Sequence, residues 1–201
     1  MNILIVGSGG REHAIAWSVA KSPKADKIYC APGNAGISQY AECVNIGAME
    51  FEKLADFAQE HSIDLTIIGM DDPLVGGVVD VFEERGLKVF GPRKNAAILE
   101  GSKAFAKDFL ARHAIPTAEY QNFTEVEPAL AYLREKGAPI VIKADGLAAG
   151  KGVIVAMTLS EAEEAVRDML SGNAFGDAGA RVVIEEFLDG EEVSFFALSD
   201  G

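Results

Sequence analysis

The chain has 201 residues, of which 49% are hydrophobic, so it can form one large domain or two modest ones around a substantial core. Asp and Glu number 31 and Lys and Arg 18, and the resulting net charge of -13 excludes general binding to nucleic acid or anionic membranes. Two cysteines, Cys30 and Cys43, are too few for a disulfide framework. With no leader segment before the first strand and no apolar run of membrane-spanning length, we expect a cytoplasmic protein that acts on small molecules.

The first predicted elements form the beginning of a βαβ unit. Asn2 to Val6 is a continuous apolar run, typical of a parallel strand covered on both faces. A glycine turn follows, and a helix then runs from Arg11 to near Pro23. Because the N-terminus of a helix attracts phosphate, this turn predicts a phosphate site that Arg11 reinforces. The residues predicted to form it are Gly7, Gly9, Gly10 and Arg11.

The same turn departs from the dinucleotide-binding fingerprint in two ways. Glu12 stands where the third glycine is required, and the second strand, Lys27 to Ala31, ends without the carboxylate that holds a ribose hydroxyl. Both departures favour the phosphate of a smaller substrate over a dinucleotide. The alternative in which the glycines serve only the tight turn stays open.

Further alternation of helix and strand predicts a doubly wound, Rossmann-like domain over residues 1–92. Phe51 begins a helix of apolar period, Asp64 to Gly69 is a buried strand, a helix with Pro73 in its first turn continues to Phe82, and Leu87 to Phe90 is the last strand. Two carboxylates follow the strand that ends at Gly69. They are either ligand-binding groups at the carboxyl edge of the sheet or ordinary helix N-terminal residues: Asp71 and Asp72.

The pattern then changes to that of a small α+β module. We expect a helical connection over 93–117, N-capped by Ser102, then an α+β subdomain over 118–190 and the start of a further subdomain over 191–201. Capping boxes are predicted at Thr124 to Glu127 and at Ser160 to Glu163. Further strands are predicted at Ala118 to Phe123, Arg181 to Ile184 and Val193 to Leu198.

A lysine-bearing and glycine-bearing hairpin is the most informative stretch of this module. Two β-branched runs, Ile140 to Ile142 and Val153 to Val155, flank a loop that contains Gly146, Gly150 and Gly152, with Lys143 and Lys151 beside it. Three residues separate the first two glycines and a strand follows, so the loop does not have the P-loop pattern. It is either a flap over nucleotide phosphates or a flexible surface hairpin with solvated lysines.

Four separate segments together resemble one enzyme family. They are GSGGREHA, LEGSKAFAKDF, VIKADGLAAGKGV and VVIEEFLDGEEVS. Over essentially the whole chain the sequence is similar to the phosphoribosylamine-glycine ligases of the ATP-grasp superfamily. The resemblance implies an α/β fold in which a Rossmann-like, parallel-sheet domain precedes the small α+β subdomain of an ATP-grasp fold.

The resemblance also assigns roles to individual residues. Lys103 and Lys143 match the two lysines that contact nucleotide phosphates, and the glycine loop would fold over them. Glu185 to Leu188 resembles the hinge that pairs with adenine, and Glu192 the carboxylate that holds the ribose. The N-terminal glycine turn would face the phosphate of phosphoribosylamine. The full set implied for ATP is Lys103, Lys143, Gly146, Gly150, Lys151, Gly152, Glu185, Phe187, Leu188 and Glu192.

The implied reaction consumes ATP, glycine and 5-phosphoribosylamine and uses Mg²⁺ or Mn²⁺, whose protein ligands are expected beyond residue 201. The chain is then a monomeric, amino-terminal portion of a longer enzyme and is inactive alone. Met70-Asp71-Asp72 stands where the family often has Gly-Pro-Glu, which puts a substrate role there in question. The alternatives are a nucleotide-binding module without catalysis and an NAD-dependent oxidoreductase, of which the second leaves the hairpin unexplained.

Overall fold

A computed structural model describes residues 1–147, 152–171 and 180–197. The chain forms two compact units, Met1–Ser102 and Lys103–Gly201. The boundaries predicted at residues 92, 117 and 190 stay predictions. In the described part of the chain, no helix has both the length and the apolar character needed to cross a membrane.

The first unit is built on a five-stranded sheet in the order β3-β2-β1-β4-β5, with every neighbouring pair parallel. Gly7 on β1 lies opposite Pro32 on β2, and Val6 lies opposite Ile68 on β4, so these strands end at one edge of the sheet. The strands are β1 (Asn2–Gly7), β2 (Lys27–Pro32), β3 (Glu42–Cys43), β4 (Leu65–Ile68) and β5 (Val89–Phe90).

Helices cover both faces of this sheet. Leu4 and Val6 point into the core on one face, and Ile3 and Ile5 point into the core on the other. This two-sided burial explains the continuous apolar run of β1 and confirms the doubly wound α/β class. The helices are α1 (Gly10–Val19), α2 (Phe51–Glu60), α3 (Asp71–Gly76), α4 (Val78–Glu84) and α5 (Lys94–Gly101), with a short 3₁₀ turn at Ile37–Gln39.

One predicted helix is two helices. The apolar stripe from Leu74 to Phe82 predicts a single element, but Gly77 has φ +101° and separates α3 from α4. That left-handed conformation is accessible to glycine and breaks the helical hydrogen-bond ladder. The break turns α4 so that Val78, Val79 and Phe82 are all buried.

The second unit has a four-stranded antiparallel sheet in the order β6-β9-β7-β8. Two helices, α7 and α8, pack on one face and share a core with it, which includes Leu133, Ile142 and Met169. The predicted hairpin is present as β7 and β8. The elements are α6 (Lys103–Arg112), β6 (Tyr120–Phe123), α7 (Val126–Lys136), β7 (Ile140–Ala144), β8 (Val153–Ala156), α8 (Leu159–Leu170) and β9 (Val182–Glu186).

Neither predicted capping box is present: the box of α8 begins two residues earlier than predicted, and α7 has no side-chain capping bond. The box of α8 is formed by Thr158, whose hydroxyl accepts from the Glu161 amide while the Glu161 carboxylate accepts from the Thr158 amide. Thr158 and Ser160 are each followed three residues later by a glutamate, but the helix begins at Leu159, so Thr158 is the N-cap. The N-cap of α7 is Glu125, with no side-chain capping bond, so Thr124 does not cap that helix.

Two further expectations in the second unit differ from the structure. Residues 193–197 form no strand, and Leu198 lies outside the described residues. Val193, Phe195 and Phe196 are highly exposed, and a strand requires a neighbouring strand to satisfy its backbone. In α6 the buried side chains are Ala104 and Lys107, whereas Phe105 is exposed, so the buried face of this helix includes a charged residue.

Candidate functional site

A cavity of about 380 Å³ lies at the carboxyl edge of the first unit's sheet, between the ends of β1 and β4. The chain leaves β1 toward β2 and β3 on one side and returns to β4 on the other, so this edge is a topological switch point. Open α/β sheets bind ligands at that position. The cavity is lined by Ser8, Gly9, Gly10, Arg11, Glu12, Gly69, Met70, Asp71 and Asp72.

Arg11 is the cation among these lining residues. Its Nη1 donates to the Gly69 carbonyl at 2.9 Å and to Asp71 Oδ1 at 3.3 Å. The side chain is 63% exposed, so the ion pair with Asp71 is screened and the guanidinium can reach a bound anion. Asp71 begins α3, as one interpretation predicted, and also lines the cavity; its role in ligand binding stays a prediction.

Glu12 is buried beneath the glycine turn, with 2% of its surface exposed. Its Oε2 accepts from the Gly9 amide at 2.6 Å, so the carboxylate caps α1 and occupies one of the donors at the N-terminus of that helix. A Cβ on Gly7 would lie 2.5 Å from Glu12 Cγ. The residue that breaks the dinucleotide fingerprint thus packs directly against Gly7, whose lack of a Cβ leaves room for the buried carboxylate.

Asn34, which the sequence analysis did not select, holds the neighbouring loop against this turn. Its Nδ2 donates to the Ser8 carbonyl at 2.7 Å, and its Oδ1 accepts from the amides of Gly36 and Ile37. The Pro-Gly-Asn run after β2 is the local signal that would have indicated it, because asparagine often bonds the backbone of its own turn.

In the second unit, strand register brings Lys143 and Glu185 onto one face of the sheet. Along β7 the side chains of Ile140, Ile142 and Ala144 enter the core, so Val141 and Lys143 face the other way. Val141 lies opposite Glu185 on β9. Lys143 Nζ donates to Glu185 Oε2 at 2.9 Å, and Glu185 is 6% exposed.

A second lysine reaches the same carboxylate from α6. Lys107 is 6% exposed, and its Nζ lies 3.1 Å from Glu185 Oε2, 2.7 Å from Thr117 Oγ1 and 3.1 Å from the Ala118 carbonyl. Sequence reasoning missed it, because a lysine within an apolar helix is ordinarily taken as solvated. Its spacing four residues after Lys103, on one helical face, was the available signal.

Lys103 lies at the base of the glycine loop. Its Nζ donates to the Gly146 carbonyl at 2.8 Å, and its amide donates to the Asp145 carbonyl at 3.1 Å. Asp145 Oδ1 also accepts from the Ala104 amide at 2.7 Å, so this carboxylate fixes the start of α6 against the end of β7. The Ala144 amide donates to the Gly152 carbonyl at 2.8 Å and closes the hairpin below the loop.

The other residues assigned to ATP do not form a similar group within the described part of the chain. Phe187 is half-buried just after β9, while Leu188 and Glu192 are exposed. Gly150 and Lys151 lie outside the described residues. The structure therefore groups Lys103 with Gly146, and Lys143 with Glu185.

Tyr120 lies opposite Glu185 on β6 and extends the polar face. Its hydroxyl donates to Asp108 Oδ1 at 2.7 Å, and this bond, with burial and the charge of Asp108, raises the pKa of Tyr120 to about 12. The phenol thus stays neutral at physiological pH and acts as a fixed donor.

A parallel-sheet unit followed by an antiparallel sheet with a lysine-bearing hairpin is the arrangement of the ATP-grasp class. Family models match both halves: "Phosphoribosylglycinamide synthetase, N domain" at residues 1–100 and "Phosphoribosylglycinamide synthetase, ATP-grasp (A) domain" at residues 101–201. The chain belongs to the phosphoribosylglycinamide synthetase family, and the resemblance found in the sequence is confirmed.

Individual relatives agree with this assignment. The chain is 73% identical to the phosphoribosylamine-glycine ligase of Haemophilus influenzae over 203 aligned residues, covering 100% of this chain and 47% of that protein. A crystal structure of the Thermotoga maritima phosphoribosylamine-glycine ligase matches with a TM-score of 0.76 and 33% identity, over 95% of this chain and 45% of the other.

A more distant match concerns the fold alone. The N5-carboxyaminoimidazole ribonucleotide synthetase of Thermotoga maritima has a TM-score of 0.65 at 22% identity, over 94% of this chain and 46% of the other. The chain spans about half the length of the curated relatives it matches.

Proposed function

We propose that this chain provides the nucleotide-binding face and the amine-substrate cavity of an ATP-dependent ligase. The reaction joins glycine to 5-phosphoribosylamine through a glycyl phosphate and yields glycinamide ribonucleotide, ADP and phosphate. The names of the relatives support the substrate class. The observation that carries the proposal is a lysine-rich face: Lys107 from α6 and Lys143 from β7 converge on Glu185, and Lys103 donates to the Gly146 carbonyl at the start of the glycine loop.

In this reaction the main role of the protein side chains is to neutralise the negative charge of the phosphates. Phosphoryl transfer to a carboxylate develops negative charge on phosphate oxygens, and fixed ammonium groups stabilise that charge most where water is excluded. Lys103 and Lys143 are assigned to this role. Glu185, Phe187 and Leu188 are assigned to the adenine end and Glu192 to the ribose. The glycine loop, from Gly146 through Gly150 and Lys151 to Gly152, is assigned to covering the phosphates.

The cavity of the first unit is assigned to the phosphate of phosphoribosylamine. Arg11 supplies the positive charge, and the turn of Gly7, Gly9 and Gly10 lets the backbone approach closely. Glu12 supports the choice of a single phosphate over a dinucleotide, because its carboxylate already holds the Gly9 amide. This geometry disfavours the oxidoreductase alternative.

A divalent ion, Mg²⁺ or Mn²⁺, would add charge neutralisation at the phosphates when bound. Within the described residues, no group of three or more His, Cys, Asp or Glu could hold a metal ion. The described residues do not form that site, and we propose that its protein ligands lie outside residues 1–201. The cytoplasmic location and the monomeric state stay predictions.

Calorimetric titration of the chain with magnesium-ATP tests the nucleotide site. We expect saturable binding that Lys143→Ala abolishes without unfolding the protein, because Lys107 still neutralises Glu185 in that variant. Lys136→Ala is the matched control, since Lys136 pairs with Glu119 in the same unit away from this face. Saturable binding of NAD instead, or binding of ATP unaffected by Lys143→Ala, would contradict the proposal.

A second assay concerns catalysis by the chain alone. We expect ATP binding without formation of glycinamide ribonucleotide, which is how a nucleotide-binding module behaves. Measurable product from the purified chain with glycine, 5-phosphoribosylamine and magnesium-ATP would show that the expectation of inactivity is wrong.

A further inference from the structure

Three charged side chains form a closely packed cluster on the nucleotide-binding face. The ammonium groups of Lys107 and Lys143 lie 3.1 Å and 2.9 Å from the same oxygen, Glu185 Oε2. Two positive charges thus share one carboxylate, and the cluster keeps an excess of one positive charge in a largely buried place. Such an excess favours binding of an anion.

The two lysines differ in how their donors are used. An ammonium group has three N–H donors. Lys107 directs its Nζ at Thr117 Oγ1, the Ala118 carbonyl and Glu185, so its donors are fully used inside the protein. Among the described residues, Lys143 has Glu185 as its acceptor, and its side chain is 28% exposed against 8% for Lys107. Lys143 therefore has the capacity to bind phosphate, and Lys107 does not.

A buried carboxylate needs a permanent counter-charge. Removing the sole partner of a buried charge is strongly destabilising. If Lys143 turns toward a phosphate oxygen, Glu185 still has Lys107 at hydrogen-bonding distance. Without Lys107, the same movement would leave Glu185 uncompensated, so Lys143 would be held at the carboxylate.

We propose that Lys107 is a positioning residue, a buried counter-ion of Glu185 that leaves the Lys143 ammonium available to nucleotide phosphate. The inference rests on the proposed ATP site and adds a residue to it. Lys107 itself touches no phosphate. Its effect on nucleotide binding passes through Glu185 and therefore requires the negative charge of that residue.

A double-mutant cycle on the chain tests this dependence, with magnesium-ATP affinity measured by calorimetry and folding checked by circular dichroism. Lys107→Met is expected to weaken ATP binding by about tenfold or more, because Lys143 becomes the sole cation on Glu185. In the Glu185→Gln background, the same Lys107→Met change is expected to alter ATP affinity by less than about threefold. Lys136→Met is the matched control for removing a lysine from this unit.

Each outcome decides between the two proposals. One outcome is that the chain binds ATP, that Lys143→Ala abolishes binding, and that Lys107→Met leaves binding intact. The proposed ATP site would then stand, and the proposed role of Lys107 would be wrong. Equal losses from Lys107→Met with Glu185 and with Gln at position 185 would show that Lys107 acts directly or through general structure, and would also overturn it. Should Lys107→Met fail to fold, a change in ATP affinity of more than about threefold between Glu185→Gln and the double variant would still overturn the role of Lys107. A chain that binds no ATP overturns both proposals.

Discussion

Replacing Gly69 by alanine should destabilise the first unit through a single neighbour. A Cβ at this position would lie 2.3 Å from Glu12 Oε1 and 2.6 Å from Glu12 Cγ. Glu12 is 2% exposed and held by the Gly9 amide at 2.6 Å, so it cannot swing into solvent without giving up that bond. Overpacking costs about 1–3 kcal/mol. A lost hydrogen bond to a charged group costs about 1.5–3 kcal/mol. Because the two terms overlap, we expect Gly69→Ala to lower the free energy of unfolding by about 3 kcal/mol.

The single tryptophan makes the measurement specific to this unit. Trp17 lies in α1, the same helix as Glu12, so its fluorescence in a urea titration follows the region that changes. The midpoint and slope give the free energy of unfolding. Gly10→Ala is the matched control, since apart from its chain neighbours and its own helix backbone no atom of the described residues lies within 4 Å of a Cβ there. It should change stability by less than about 1 kcal/mol.

A second background isolates the cause. With Glu12→Ala the obstruction is gone, so Gly69→Ala should then cost less than about 1 kcal/mol. An equal cost of Gly69→Ala with and without Glu12 would refute the argument, because the damage would then come from another contact.

Four further predictions follow from single side chains. Thr66 is 1% exposed, and its buried hydroxyl has no hydrogen-bond partner among the described residues. Thr66→Val should therefore raise the free energy of unfolding by about 1 kcal/mol in a urea titration, and a decrease would contradict this. Thr158→Ala should lower the free energy of unfolding by about 1 kcal/mol, because Thr158 caps α8. Thr124→Ala should leave that free energy unchanged, because Thr124 does not cap α7. Equal effects of the two substitutions would argue against the observed cap. Burial raises the pKa of the Cys30 thiol from 9.0 to about 12. The unfolded chain therefore loses this proton first, and stability should fall as pH rises from 9 toward 12. Cys30→Ala should make this fall smaller, and an unchanged fall would assign it to other groups. At neutral pH a thiol reagent should modify the exposed Cys43 rapidly and Cys30 only on unfolding.

Local patterns were sufficient for much of the fold. The apolar run of Asn2 to Val6, the glycine turn after it and the β-branched flanks of the 140–156 hairpin each specify an element type by composition and period. The ends of helices were harder to predict. Thr158 and Ser160 both fit a capping pattern, and Gly77 interrupts an apolar stripe that predicted a single helix. Such choices depend on small differences in backbone geometry that neighbouring sequence does not reveal.

The sequence by itself determined the alternation of strands and helices in the first unit, the position of both glycine-rich segments along the chain, the family, and Lys103 and Lys143 as the residues of interest. Only the tertiary structure decided the partners of these residues. In the sequence, Glu12 was notable only because it replaces a glycine, and the structure shows that it is a buried cap of α1. Lys107 had no predicted role, and the structure shows that it pairs with Glu185. The physical reason is that periodicity records which face of an element is apolar, whereas a charge pair depends on strand register and on which helix face meets the sheet. Those relations join residues far apart in the chain, such as Lys107 and Glu185, and no local pattern contains them.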